Sequence, residues 1–137
     1  MVFTEAMRLY PPAWMMTRRT LVEYAIGDYT LPAGTFIMLS PYVTHHDARF
    51  FPDPEVFNPE RWDTPVETQH HRFAYFPFGG GPRQCIGEGF AWMEGLLLLA
   101  TLAQQWQMRL VSGHPVVPHP LVTLRPRYGM PMTLVRH

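Results

Sequence analysis

The stretch Tyr75 to Gly87, YFPFGGGPRQCIG, holds the single cysteine of the chain, Cys85, with three consecutive glycines before it and a long apolar run after it. A sulfur in that setting could ligate a metal or act as a nucleophile. A helix starting at Gly87 or Glu88 would bring unpaired backbone amides and the positive end of its dipole beside Cys85, which favours the thiolate. Gly79, Gly80 and Gly81 let the backbone approach a flat, bulky partner without side-chain clash. Arg83, two residues before the sulfur, is a cation suited to a carboxylate or phosphate. Together these residues describe a pocket for an anionic group that carries a thiophilic metal.

Other readings compete. An isolated cysteine beside a helix is most often inert filler. Glycines before a helix can cradle phosphate, but GGGPRQCIGEG lacks the Lys-Ser/Thr of a P-loop and the GxGxxG spacing, which argues against nucleotide binding. A cysteine nucleophile needs a histidine base nearby in space, and seven histidines leave that open. His45 and His46 could form a metal site with His70 and His71, but adjacent pairs lack the i, i+4 spacing that aims two ligands from a helix, so a separate metal site is disfavoured.

The elements that must position the cysteine stretch follow from the rest of the chain. At 137 residues and 47% apolar content the prior is one globular unit. Eleven basic and eleven acidic residues cancel, so there is no electrostatic footprint for nucleic acid or an anionic membrane. A single cysteine excludes an intramolecular disulfide and favours a reducing compartment. No signal-peptide pattern is present, and the most apolar run, Gly95 to Ala103, is far short of the ~20 residues of a membrane span.

Met1 to Tyr10 is helix-compatible and stops at Pro11-Pro12, without a capping residue ahead of it. Leu21–Ile26 and Phe36–Ser40 are β-prone, with turn chemistry between them, and predict a small hairpin. Thr44 to His71 reads as ordered but mostly irregular. Gly87 or Glu88 to Trp106 is the one long helix, apolar on nearly every face and expected to be buried in the core of a larger protein. Met108–Val111, Val122–Leu124 and Met132–Val135 read as late strands, with RYGMP as a turn.

Phe78, Gly81, Arg83, Cys85 and Gly87 fit FxxGxRxCxG without a gap, and in this the chain resembles the cytochrome P450 monooxygenases. EAMR, Glu5 to Arg8, resembles the family's ExxR on helix K, and PERW, Pro59 to Trp62, resembles its PERF segment. YVTHHDARFFPDPEVF is similar to HRDPxxFPDPxxF, with His46 where arginine is common and Ala48 where proline is common. The wording is most similar to soluble bacterial members related to fatty-acid and alkane hydroxylases.

The resemblance implies an α+β fold made of the end of helix K, a small sheet, an irregular meander, the cysteine loop, a long buried helix L and terminal strands. Residues 1–137 would then be the C-terminal portion of a single P450 domain. Cys85 would be the axial thiolate ligand of haem iron. Phe78, Gly79 and Gly87 would line the cofactor, while Arg83 and Arg18, the latter ahead of Arg19, would pair with its propionates. Glu5, Arg8 and Arg61 would form a structural network behind the loop. The implied cofactor is haem b, with electrons from NAD(P)H through a ferredoxin or flavoprotein reductase-type donor. The implied reaction is monooxygenation of an apolar small molecule in a bacterial cytoplasm, with the distal half of the site outside these residues. A non-catalytic remnant or haem-binding module derived from the family is the alternative.

Overall fold

The computed structural model describes residues 1–64 and 71–136. His70, weighed above as a metal ligand, lies outside them. Helix α1 spans Val2–Leu9, has no side-chain cap at Met1, and gives way at Tyr10 to the Pro11-Pro12 pair. It buries one face that carries Glu5, Met7, Arg8 and Leu9. The core among the described residues forms around this face, where Leu9, Phe51, Ala74, Pro11 and Pro41 close over Glu5, Arg8 and His45. Every buried side-chain nitrogen and oxygen among the described residues has a hydrogen-bond partner, as a core with charges at its centre requires.

Strand β1 is Met16–Arg19, β2 is Tyr24–Ile26, β3 is Tyr29–Leu31 and β4 is Phe36–Leu39. The single hairpin expected from Leu21–Ile26 and Phe36–Ser40 does not form. Instead β4 runs antiparallel to β1, from Met16 opposite Leu39 to Arg19 opposite Phe36, and β2 pairs with β3. The reason is local: Gly27, at φ 55°, and Asp28 make a two-residue loop that closes β2 onto β3 at once. Thr20 then staples the outer pair, donating from its backbone to Thr35 O at 3.0 Å and from Oγ1 to Pro32 O at 2.7 Å.

Helix α2, Pro41–His45, is capped by Ser40, whose Oγ accepts from Val43 N, and has proline at its first position. A 3-10 turn at Pro59–Trp62 is capped in the same way by Asn58 through Glu60 N. Helix α3 is Glu88–Ala103. It ends before the expected Trp106 because that residue opens strand β5, Trp106–Leu110, which pairs with β8, Met132–Arg136. Strands β6, Pro118–Pro120, and β7, Leu124–Pro126, form a further small hairpin. It is tied to the segment after α1 by Leu124 N donating to Pro12 O at 2.9 Å and Trp14 Nε1 donating to Leu121 O at 2.8 Å.

No residue of α3 is buried by the described residues, and Leu97 is 61% exposed; the burial expected for this helix is in the core of a larger protein. The chain's accessible surface is 10016 Å², against about 7,400 Å² for a compact monomer of its mass. A helix apolar on all faces needs more covering surface than these residues supply. Close packing does form where Gly95 admits the ring of Phe3; a Cβ there would collide with that ring.

Candidate functional site

The cysteine loop is folded by its own backbone. Gly79 N donates to Phe76 O at 2.9 Å, with Gly79 at φ 75°, and Gly81, at φ 70°, opens a 3-10 turn over Gly81–Arg83. Both conformations are left-handed and suit glycine. Cys85 N then donates to Phe78 O at 3.0 Å, and Cys85 O accepts from Glu88 N at the start of α3. The loop therefore delivers Cys85 to the mouth of α3 as an exposed free thiol. Sγ lies 3.7 Å from the place a Cβ on Gly87 would take, so the residue after next leaves the sulfur's flank clear.

A cavity of about 350 Å³ opens beside the sulfur, lined by Cys85, Arg83, Arg18, Phe78, Gly79 and Met16 among others. Five residues singled out in the sequence, spread over 68 positions from Arg18 to Cys85, thus meet on one surface. Arg18 and Arg19 separate as alternate strand residues do. Arg18 faces the cavity, whereas Arg19 lies over the Phe36 ring at 5.5 Å and donates from Nε to Gly34 O at 3.3 Å. Phe78 is braced from behind by Trp92 of α3, ring centroids 5.9 Å apart, and Trp92 in turn meets Phe3 of α1 edge-on at 5.1 Å.

Behind the loop, Glu5, Arg8 and Arg61 do come together. Glu5 and Arg8 are fully buried, and Arg8 donates from Nε to Glu5 Oε2 and from Nη2 to Oε1, both at 2.9 Å. The same Oε1 accepts from Arg61 Nε at 3.0 Å and from Asn58 N at 2.9 Å. Burial by itself would raise the Glu5 pKa, but the hydrogen bonds from Arg8, Asn58, Trp62 and Arg61 outweigh it and hold the carboxyl down at about 2. Arg8 also reaches across the core, donating from Nη1 to His45 O at 2.8 Å and Pro54 O at 2.7 Å.

Two members of this network escaped sequence reasoning. Trp62 Nε1 donates to Glu5 Oε2 at 2.8 Å; the PERW segment drew attention for its arginine and not its tryptophan. His45 is fully buried, with Nδ1 at 3.3 Å from Arg8 O and Nε2 accepting from Phe76 N at 3.0 Å. Its ring nitrogens are thus both engaged with backbone. His46 turns away, with Nδ1 at 2.7 Å from Tyr42 O and its ring stacked on Tyr42, and His71 Nδ1 accepts from Phe73 N at 3.2 Å. The described histidines are therefore not aimed at a shared point.

The sequence model of the cytochrome P450 family matches residues 1–131. The chain belongs to the cytochrome P450 family. Among curated relatives it is 43% identical over 123 residues to cyclooctatin synthase of Streptomyces melanosporofaciens, covering 90% of this chain and 27% of that protein. It is 46% identical over 112 residues to cyclooctat-9-en-7-ol 5-monooxygenase of the same organism, covering 82% and 24%. The P450 structures it matches include a retinoic acid-bound cyanobacterial CYP120A1, with a TM-score of 0.92 at 33% identity over 99% of this chain and 32% of that one. A six-coordinated cytochrome P450 from Thermus thermophilus matches with a TM-score of 0.81 at 40% identity, over 96% and 34%. The α+β arrangement is thus that of P450 structures, and the chain spans about a quarter of the length of these curated relatives. Among the described residues no helix is long and apolar enough to cross a membrane.

Proposed function

We propose that these residues form the thiolate side of a haem monooxygenase site, with Cys85 as the axial ligand of the iron. The observation that carries this is the shared cavity: an exposed thiol, two arginines and an aromatic ring line one space whose other walls are mainly apolar. That donor set suits a flat apolar macrocycle with a thiophilic metal at its centre and carboxylates at its edge. The family implies haem, and haem b is the form proposed here.

In this reading Cys85 donates its sulfur to the metal, while the Phe78 C=O that accepts from Cys85 N fixes the direction of the Cys85 side chain. Phe78 shields the sulfur with its ring, and left-handed Gly79 brings backbone alone to the cavity wall. Arg18 and Arg83 would hold its propionates by charge-assisted hydrogen bonds. Gly87 keeps bulk away from the sulfur. Glu5, Arg8 and Arg61 touch no cofactor and hold the loop in place. When bound, haem supplies the activation of O2 with two electrons and the insertion of one oxygen atom into an apolar substrate, the other leaving as water.

The whole protein's activity, its apolar substrate, a ferredoxin or flavoprotein donor fed by NAD(P)H, and a bacterial cytoplasmic location belong to the same proposal. One relative, from Streptomyces, is named a monooxygenase, which supports the reaction class. The second reading kept beside it is a non-catalytic remnant or haem-binding module derived from the family.

The deciding experiment is the reduced, CO-bound difference spectrum of the haem-loaded protein. A Soret band strongly red-shifted from that of imidazole-ligated haem, lost in both Cys85→Ala and Cys85→His, supports the assignment. The same spectrum in both variants sinks it. Oxygen-dependent product formation separates the enzyme from the module.

A further inference from the structure

We propose that His45 is a positioning residue for the cysteine loop, coupling the buried Glu5–Arg8 pair to the backbone that carries Cys85. Arg8 and His45 bind each other reciprocally, the guanidinium donating to His45 O at 2.8 Å and the imidazole Nδ1–H donating to Arg8 O at 3.3 Å. A carbonyl can only accept, so Nδ1 carries the proton and Nε2 is left as an acceptor. Nε2 takes the amide of Phe76 at 3.0 Å. One neutral tautomer therefore satisfies α1 on one side and the start of the loop on the other.

From Phe76 the path to the sulfur is short. Phe76 O accepts from Gly79 N, and Phe78 O accepts from Cys85 N. The His45 ring is also clamped, stacked on Tyr75 at 5.1 Å and edge-on to Phe76 at 5.5 Å. A residue that merely filled the core would need the ring but neither nitrogen. The role assigned here is the acceptor atom: without it the part-buried Phe76 amide loses its protein hydrogen bond, and the loop gains freedom at its first residue.

The consequence for the iron rests on the haem reading above; the consequence for the loop does not. The test compares wild type, His45→Phe and His45→Gln. Phenylalanine keeps the ring and removes both nitrogens, while glutamine offers Oε1 to the Phe76 amide. Hydrogen exchange at the Phe76 amide, read without haem, is expected to quicken about tenfold in His45→Phe and to return towards wild type in His45→Gln. In the haem-loaded proteins, the thiolate-type Soret of the reduced CO complex is expected to weaken in His45→Phe and recover in His45→Gln.

Equal Phe76 exchange in wild type and His45→Phe overturns the proposal, as does a glutamine variant no better than phenylalanine. Should His45→Phe not fold, nitrogen NMR of the wild-type imidazole decides: a protonated Nδ1 with a coupling from Nε2 to the Phe76 amide supports the role, and a protonated Nε2 overturns it. A wild type without a thiolate-type Soret refutes the haem reading alone.

Discussion

Glu5 and Arg61, 56 residues apart in sequence, are joined by a 3.0 Å hydrogen bond from the guanidinium Nε to Glu5 Oε1. That carboxylate is fully buried and also holds Arg8, Trp62 and the Asn58 amide. Its removal leaves the Arg8 guanidinium in the core with carbonyl partners alone. Glu5→Ala is expected to cost roughly 3–5 kcal/mol, and Arg61→Ala, where Arg8 still neutralises Glu5, about 1–2 kcal/mol. Urea denaturation midpoints check both, and an unchanged midpoint in Glu5→Ala refutes the network's structural weight.

Stability should fall in two steps on acidification. Burial pushes the His45 pKa down from 6.5 to about 4; the hydrogen bond to Arg8 O opposes this, and the nearby charges of Arg8 and His46 add to it. Below pH 6.5 the unfolded chain takes up a proton that the native one refuses, so stability drops as pH falls from 6.5 to about 4, by roughly 3 kcal/mol in all. Glu5, held at about 2 against an ordinary 4.5, adds a loss as pH falls from 4.5 towards 2 because its stabilising charge is then neutralised. His45→Gln should flatten the first step and leave the second, as read by denaturation at a series of pH values. A first step that persists in the variant assigns it elsewhere.

How much of this was legible depends on whether the signal was local. Glu5 and Arg8 are one helical turn apart, and the cysteine loop's glycines and turn residues are contiguous, so their neighbours in space are their neighbours in sequence. Strand β1, MTRR, carries no apolar alternation; it is a strand because β4 pairs with it, and a tertiary pairing overrides local propensity. Trp106 looked helical for the same reason in reverse, since its partner Arg136 lies 30 residues away. His45 was indistinguishable from His46 in THHD, because what separates them is contact with Arg8 and Phe76, 37 and 31 residues distant. The all-apolar composition of α3 reports the cover that the helix needs in a larger protein, which these residues alone do not supply.

Arg18 and Arg19 offer a clean contrast at the cavity. Their side chains leave β1 on opposite faces, and Arg19 is occupied by Phe36 and Gly34 O. If propionates are held as proposed, Arg18→Ala should weaken haem binding about tenfold, with a smaller effect at high salt because Arg18 is only partly buried. Arg19→Ala should leave affinity unchanged. Haem titration followed at the Soret band measures this, and equal losses in the two variants contradict the assignment of Arg18.

Leu9 and Leu97 test the packing described around α1 and α3. Leu9 is 3% exposed in the core beneath α1, so Leu9→Ala removes packed methyl groups and leaves a cavity, at an expected cost of about 2–5 kcal/mol. Leu97, 61% exposed on α3, has little packing to lose. Lysine matches leucine closely in helix propensity, so Leu97→Lys should shift stability by less than about 0.5 kcal/mol. The same change breaks up an exposed apolar surface of the kind that drives association. The chain is therefore expected to bind a hydrophobic dye and to self-associate in sedimentation, with both reduced in Leu97→Lys while the denaturation midpoint stays. A large loss of stability in Leu97→Lys would mean that α3 is packed in solution, and the surface described for it would then be wrong.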